Sequence, residues 1–334
     1  MNWFQIAAGL VVGLVLFLYG VSRLSEGLRA MAGDRLRDGL ARFTRNRFAG
    51  VGTGAVATAV VDSSSVTIAT VIALVHAGVL TFSSSLGVIL GANVGTTLSS
   101  QLFALRGAAF APVVLALGFG LYTFARTERA RHAGGALLGL GMLFFGLEQM
   151  GSAVEPLRGH PAFEAWMARL ENPLVGLGVG LVATVVLQSS SATLGLAITL
   201  AGEGMLTLPA GMAVMLGAEV GTCADTLLAS LGRSRAALRA GLFHLGFNAA
   251  MALAGLALVA PLAAAAVAMP GGTGGVARQI ANAHLLFNVA GVALVVGFLP
   301  RIARWLERVL PDRPADPSPR AHEAPDPSPV PATA

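Results

Sequence analysis

Two serine triplets, Ser63, Ser64 and Ser65 in VDSSSVTIA (residues 61–69) and Ser189, Ser190 and Ser191 in LQSSSATLG (187–195), sit inside long apolar runs. A serine hydroxyl competes with the helix for backbone hydrogen bonds, so three in a row disfavour a helix interior and favour a turn or a helix start. The residues before them, 51–61 and 175–187, are Gly, Ala, Val, Leu and Thr, and those after them return to Ile, Ala, Leu and Val. This is the pattern of two short helices meeting at a polar break within hydrocarbon. Such a break survives there only if protein or a water-filled cavity surrounds its backbone groups. Each triplet is therefore a candidate site for something polar.

The rest of the chain supplies the hydrocarbon-facing context. Of 334 residues, 55% are hydrophobic and 12% charged, the mean hydropathy is +0.73, and globular domains carry about twice that charge. An all-α integral membrane protein is predicted. The 42 glycines suit membrane helices that approach closely. All 22 basic residues are arginine and lie between apolar segments or in the tail, a pattern of membrane orientation rather than of a nucleic-acid face. A single cysteine, Cys223, excludes an intrachain disulfide and a cysteine-rich metal site. Met1, Asn2 and Trp3 form no basic leader region, so the apolar run 4–21 reads as a first span rather than a cleavable signal.

The second triplet follows the first at an offset of 126 (188 minus 62), and the same offset lays LGANVGTT (90–97) on LGAEVGTC (216–223) and LFLYG (16–20) on MLFFG (142–146). Three motifs in one register are a structural repeat, a common construction of secondary transporters. Against the roughly 20 residues a spanning helix needs, apolar lengths predict spans near 4–22, 82–105, 108–125, 133–150, 208–231, 236–259 and 279–299. The serine segments 48–79 and 174–205 are either broken spans or re-entrant hairpins. As hairpins they place four basic loops on one side: Arg23, Arg29, Arg35, Arg37, Arg42, Arg45 and Arg47; Arg126, Arg129 and Arg131; Arg233 and Arg235; and Arg301, Arg304 and Arg308. The positive-inside rule favours that arrangement. The expectation is about seven spans plus two hairpins in the cytoplasmic (inner) membrane, with the N-terminus outside and the C-terminus in the cytoplasm. Residues 1–125 and 126–260 form the two repeats, inverted because each has an odd number of spans. Residues 261–310 add a C-terminal span. Residues 23–47 and 149–173 alternate charge with Leu, Met, Phe and Trp166 and read as interfacial helices. The proline-rich stretch 311–334 reads as a disordered tail.

QSSSAT at 188–193, its partner DSSSVT at 62–67 and GANVGTT at 91–97 resemble the paired signature of the type II sodium-dependent phosphate cotransporter family, and the likeness covers about residues 13–300. The resemblance implies a sodium-coupled symporter of inorganic phosphate working by alternating access, with sodium as coupling ion and no other cofactor. It implies phosphate contacts at Ser63, Ser64, Ser65, Gln188, Ser189, Ser190 and Ser191. The residues agree on the kind of ligand, because a hairpin tip offers the free N–H groups and positive end of its returning helix to an anion. Two tips near the midplane would cup a tetrahedral oxyanion. Oxygen ligands for sodium are expected from Thr67, Thr193, Asn93, Thr96 and Thr222, and from carbonyls freed at Gly91 and Gly217. The plainer alternative is packing: serines and threonines are ordinary between membrane helices.

Two positions depart from the family pattern: Asp62 replaces glutamine and Glu219 replaces asparagine. At about 4 Å and an effective dielectric near 20, like charges cost roughly 4 kcal/mol. Asp62 must then be offset by a cation, be protonated, or turn away from the anion. Intramembrane acids are rare and usually functional, so Asp62 and Glu219 are expected to bind coupling cations or take up protons. His244 with Asn248 and His284 with Asn288 each share a helix face one turn apart and are expected to bridge helices, with proton transfer as the alternative. Asp225 is expected to line the same cavity, and His76, Glu203 and His160 to be solvated at membrane edges. Other readings stay open: a carrier of sulfate or a carboxylate, or a membrane scaffold without transport. Neither a nucleophile elbow nor HExxH accompanies the serines to suggest a hydrolase. The partners expected are phosphate, sodium and the lipid bilayer, with no nucleic acid; a homo-oligomer is left open.

Overall fold

A computed structural model describes residues 2–32, 46–105 and 108–313. Arg35, Arg37, Arg42 and Arg45, with most of the second half of the predicted interfacial stretch 23–47, lie outside the described residues, as does 314–334 of the proline-rich tail. Among the described residues all regular structure is helical. In chain order the helices are α1 (Trp3–Ala32), α2 (Arg47–Val61), α3 (Ser64–His76), α4 (Phe82–Phe103), α5 (Ala111–Phe124), α6 (Glu128–Val154), α7 (Pro161–Arg169) and α8 (Pro173–Leu187). They continue with α9 (Ser190–Gly202), α10 (Leu208–Gly221), α11 (Cys223–Ser230), α12 (Arg235–Ala257), α13 (Val259–Ala268), α14 (Val276–Val296) and α15 (Leu299–Val309). Starts are set by side-chain caps: Asn46, Thr81, Thr127, Asn172, Thr207 and Ser234 each accept a hydrogen bond from a first-turn N–H, which relieves groups the helix cannot pair.

Among the described residues, five stretches are long and apolar enough to cross a membrane: Trp3–Met31, Glu128–Leu157, Leu208–Ser230, Arg235–Ala257 and Val276–Val296. They coincide with five of the seven predicted spans. Helix α4 has the length, 22 residues, but its Ser, Thr and Asn content makes it polar. Residues 108–125 differ from expectation, since a 3-10 turn takes 108–110 and leaves α5 with 14 residues, about 21 Å of helix against a core of about 30 Å. Helix α1 continues to Ala32, so the predicted interfacial stretch begins as an extension of the span. Helix α7 buries no residue and turns by 98° into α8.

The repeat is visible in the backbone. Adding 126 to the bounds of α2 and α3 yields the bounds of α8 and α9, and Thr207 caps α10 as Thr81 caps α4. Glycine explains the packing within each copy. A Cβ on Gly54 or Gly91 would overlap the carbonyls of Val88 or Val51, and one on Gly180 or Gly217 those of Val214 or Leu177. Hence α2 lies backbone to backbone on α4, and α8 on α10. In both copies the residue numbers rise together, Val51 by Gly91 and Ala55 by Gly95, Leu177 by Gly217 and Leu181 by Gly221. The paired helices are therefore parallel, and α3 and α9 return the chain to the level where α2 and α8 began.

Between the copies the geometry differs. Gly13 lies against Gly146 and Met150, and Gly20 against Gly139 and Leu143, so α1 and α6 run antiparallel. Gly139 and Gly146 are themselves 126 beyond Gly13 and Gly20. Each helix thus offers the other the same pair of glycines, the self-complementary contact of a two-fold axis. This pair contributes Phe17, Leu143 and Phe144 to a core with Ile198 and Ile280, and a separate core gathers Ile68, Ile72, Leu86, Ile89 and Phe243. Helix α5 packs closely on α6 through Gly118, Gly134 and Gly141, and turns Leu117, Phe119 and Phe124 outward. The Arg47 guanidinium donates to the Gly297 carbonyl at 3.2 Å, and Arg239 to the Leu310 carbonyl at 2.8 Å. The starts of α2 and α12 are therefore tied to the two ends of α15.

Gly91→Ala and Gly217→Ala are expected to destabilise the protein by roughly 1–3 kcal/mol, the usual cost of overpacking. Gly52→Ala and Gly178→Ala, whose added methyl meets nothing, should keep or slightly raise stability, since alanine is the better helix former. Thermal unfolding in detergent distinguishes them, and four equal midpoints would refute the packing described.

Candidate functional site

Helix α2 stops at Asp62, which takes the left-handed conformation (φ 52°, ψ 30°), and Ser63 then extends before α3 begins. Helix α8 stops at Gln188 (φ 50°, ψ 32°), and Ser189 extends before α9. Among the described residues these two alone have positive φ without being glycine. That conformation costs a side-chain-bearing residue roughly 1–2 kcal/mol, and strain of this kind gathers at functional sites. The Ser63 hydroxyl accepts from the Val66 N–H at 3.2 Å and the Ser189 hydroxyl from the Ala192 N–H at 3.1 Å. The first serine of each triplet is thus a helix cap, and the next two occupy the first turn. Around the second corner the Thr184 hydroxyl donates to the Thr193 hydroxyl at 2.9 Å. Nine residues of straight helix would separate them by about 13.5 Å, so the chain doubles back. In the first copy the equivalent Thr58 hydroxyl is buried without a hydrogen-bond partner, and Thr67 donates to the Ser63 carbonyl at 3.0 Å.

The two breaks are alike in backbone and unlike in charge. Ser99 on α4 donates to Asp62. The residue 126 beyond Ser99 is Asp225 on α11, and that beyond Asp62 is Gln188. The acid therefore sits on the break in one copy and on the facing helix in the other. Asp225 reaches across to the first triplet, accepting from the Ser65 hydroxyl at 3.3 Å. Both carboxylates thus border the first break. At the second, the Thr222 hydroxyl donates to Ser190 at 3.3 Å, and the partners found are neutral.

A buried polar layer lies behind the breaks. Glu219 Oε1 meets His284 Nε2 at 2.7 Å, and His284 Nδ1 meets the Ser100 hydroxyl at 2.6 Å. Thr226, 126 beyond Ser100, meets His244 Nδ1 at 2.7 Å. Asn93 donates to Asn248 at 2.9 Å. Asn93 and Glu219, equivalent in the repeat, are thus tied to α12 and α14. His244, His284 and Asn248 bridge helices, whereas Asn288 donates back to the His284 carbonyl of its own helix. Thr96 also returns to its own helix, donating to Ala92. The expectation of carbonyls freed at Gly91 and Gly217 is overturned: α4 and α10 run through both, and the glycines serve close packing instead. His76 accepts from the Ser234 N–H and Glu203 pairs with Arg158, so these edge residues make protein contacts.

A cavity of about 410 Å³ reaches Asp62 and Ser99 between Leu24, Leu28, Gln101 and Arg278. A second, of about 360 Å³, is bordered by Glu148, Thr199, Glu203 and again Arg278. Arg278, which donates to the Gln101 carbonyl at 3.3 Å, is the site residue that sequence reasoning missed. It precedes an apolar run, where an arginine looks like any flanking charge. Ser99 was missed also, because a serine in a polar helix carries no signal until its register with Asp225 is noticed.

The model of the Na+/Pi-cotransporter family matches the chain twice, over residues 16–152 and 149–294. The chain is 30% identical over 316 residues to the uncharacterized protein YqeW of Bacillus subtilis, covering 89% of this chain and 96% of that one. It is 25% identical over 308 residues to the putative inorganic phosphate export protein YjbB of Escherichia coli K12, covering 91% of this chain and 56% of the relative. Thus the chain spans little more than half of that protein. With the human sodium-dependent phosphate transport protein 2B it shares 31% identity over 103 residues, 29% of this chain and 15% of the relative. No solved structure matches.

Gln188→Gly relieves the left-handed strain and is expected to keep or raise the thermal midpoint, whereas Gln188→Val, β-branched at the same φ, should lower the midpoint through a stability loss of more than about 1–2 kcal/mol, the cost for an ordinary residue. Calorimetry or dye-based unfolding of the purified protein reads both, and a valine variant as stable as the glycine one would contradict the strain.

Proposed function

We propose, from the premise that the chain belongs to the Na+/Pi-cotransporter family, that it carries inorganic phosphate across the cytoplasmic membrane in symport with sodium, by alternating access between two inverted repeats. The observation that carries this reading is the pair of matched helix breaks, each presenting a helix N-terminus and a serine-rich first turn. Such ends attract anions through free N–H groups and the helix dipole. Ser64, Ser65, Ser190 and Ser191 with the Gln188 amide would supply the donors, while Ser63 and Ser189 hold the two helix starts in shape. The return of α3 and α9 to their starting level supports re-entrant hairpins. The antiparallel α1–α6 pair supports inversion of repeats 1–125 and 126–260, with 261–310 as a further span. The ties from Arg47 and Arg239 to the two ends of α15 support one basic face, and with it the reading of a cytoplasmic C-terminus and an outside N-terminus.

Sodium has a physical task at the first break. Phosphate near Asp62 and Asp225 meets like charge, worth roughly 4 kcal/mol per contact at 4 Å and an effective dielectric near 20. A sodium ion held by Asp62, Thr67 and neighbouring hydroxyls converts that repulsion into attraction, so cation binding precedes the anion. Thr193 and Thr222 extend the oxygen set towards the second break. Asn93, Thr96 and Glu219 act from behind, linking the breaks to α12, α14 and the body of α4. Arg278, between the two cavities, raises the local concentration of anions on the way in. Sodium entry in excess of the phosphate charge then works with the potential, at about 2.3 kcal/mol per charge per 100 mV. The relatives named for phosphate export support a second reading, in which the same site runs outward. Gradients decide between the directions, not the site.

Radiolabelled phosphate uptake into proteoliposomes tests the proposal. Flux is expected with an inward sodium gradient and not with potassium, and Ser190→Ala should reduce it at least about tenfold, the equivalent of one charge-bearing hydrogen bond. Accumulation of sulfate or a carboxylate while phosphate fails would overturn the substrate. Asp62→Asn should raise the sodium concentration for half-maximal flux about tenfold, or roughly 1.4 kcal/mol. An unchanged sodium curve would remove Asp62 from the cation site.

A further inference from the structure

Helix α15 follows α14 after two residues and presents three different stripes. Leu299, Ala303 and Leu306 face inward and pack with Phe82, Leu86 and Phe243. Arg301, Arg304 and Arg308, spaced i, i+3 and i+7, form a second stripe, and all three are exposed. Between these lies a third: Trp305 and Val309, one turn apart, remain 60% and 62% exposed, and Phe298 at the helix start 51%. Glu307, the one acid of this helix, is two residues from Trp305 and so on the opposite side. The inner stripe rests on the protein, so the helix cannot roll to bury its tryptophan. Arg47 lies at the same level through its hydrogen bond to Gly297, with its guanidinium 5.1 Å from the ring of exposed Phe48.

An exposed tryptophan and valine flanked by three arginines fit no aqueous surface, but they fit a bilayer interface. There the indole and the valine enter the acyl boundary while guanidinium forks meet phosphate oxygens, often two at a time. We propose that α15 and Arg47 form a docking surface for anionic phospholipid, with Arg301, Arg304 and Arg308 on lipid phosphates and Trp305 and Val309 among the chains. The occupant is a lipid rather than free phosphate, because the apolar stripe beside the arginines offers a small hydrophilic ion nothing. Charge selects the lipid: four arginines against one glutamate favour phosphatidylglycerol over phosphatidylcholine. Anchoring extends inward, since Arg239 on α12 clasps the Leu310 carbonyl and Asp312 just past α15 and stacks 5.0 Å from Phe82 at the start of α4.

The chain has three tryptophans, so the full-length protein carrying Trp3→Phe and Trp166→Phe reports from Trp305 alone. In phosphatidylcholine vesicles containing a minority of brominated phosphatidylglycerol, Trp305 fluorescence should be quenched more than with the same fraction of brominated phosphatidylcholine. Arg301→Gln, Arg304→Gln and Arg308→Gln should each cut that preference, up to about fivefold, the value of one basic residue near an anionic leaflet. The three lysine replacements, which keep the charge, should retain most of it and serve as the folding control. High salt should weaken the preference, and added inorganic phosphate should not abolish it. Equal quenching by both lipids, quenching by neither, or loss of the preference on adding inorganic phosphate would each overturn the proposal.

Discussion

The organisation of this protein rests on satisfying backbone groups at two chain reversals inside an apolar bundle. Unpaired N–H and C=O groups are costly in such surroundings, and each reversal exposes several at once. Ser63 and Ser189 cap the returning helices with their own hydroxyls. Glycines on α2, α4, α8 and α10 then let neighbouring backbones touch, so the reversals are held in protein rather than in lipid. The first-turn N–H groups left over give each break the positive end of a helix.

The repeat makes the geometry economical, and departures from it distribute the charge. The breaks agree within a few degrees at φ and ψ, yet Asp62 and Ser99 in one copy answer to Gln188 and Asp225 in the other. Because Asp225 crosses to Ser65, both carboxylates gather at the first break. The repeated backbone thus carries an asymmetric distribution of charge.

Behind the breaks, α12 and α14 act as a common backing. His284 touches Ser100 of the first copy and Glu219 of the second, and Asn248 touches Asn93 of the first and Cys223 of the second. Any relative motion of the copies must pass through these contacts, because buried polar groups cannot exchange partners without passing through an unpaired state.

Much of this architecture is legible in the residues. The serine triplets mark the breaks because their hydroxyls suit caps and not interiors, and the 126-residue offset marks the repeat because backbone geometry follows local sequence. Apolar length located five spans but overstated 108–125, where a 3-10 turn shortens the helix. What separates the serines of a triplet, cap from first turn, depends on the local φ of Asp62 and Gln188, and was not readable from three identical letters. The tertiary structure alone decided which residues meet between helices: Ser65 with Asp225 across the copies, Ser99 with Asp62 within the first, and Glu219 of the second with His284. These contacts join positions 37 to 160 residues apart, and periodicity informs only on neighbours along one helix. Arg278 was hidden for the same reason, since its place between two cavities is set by how α14 packs and not by the residues around it in the chain.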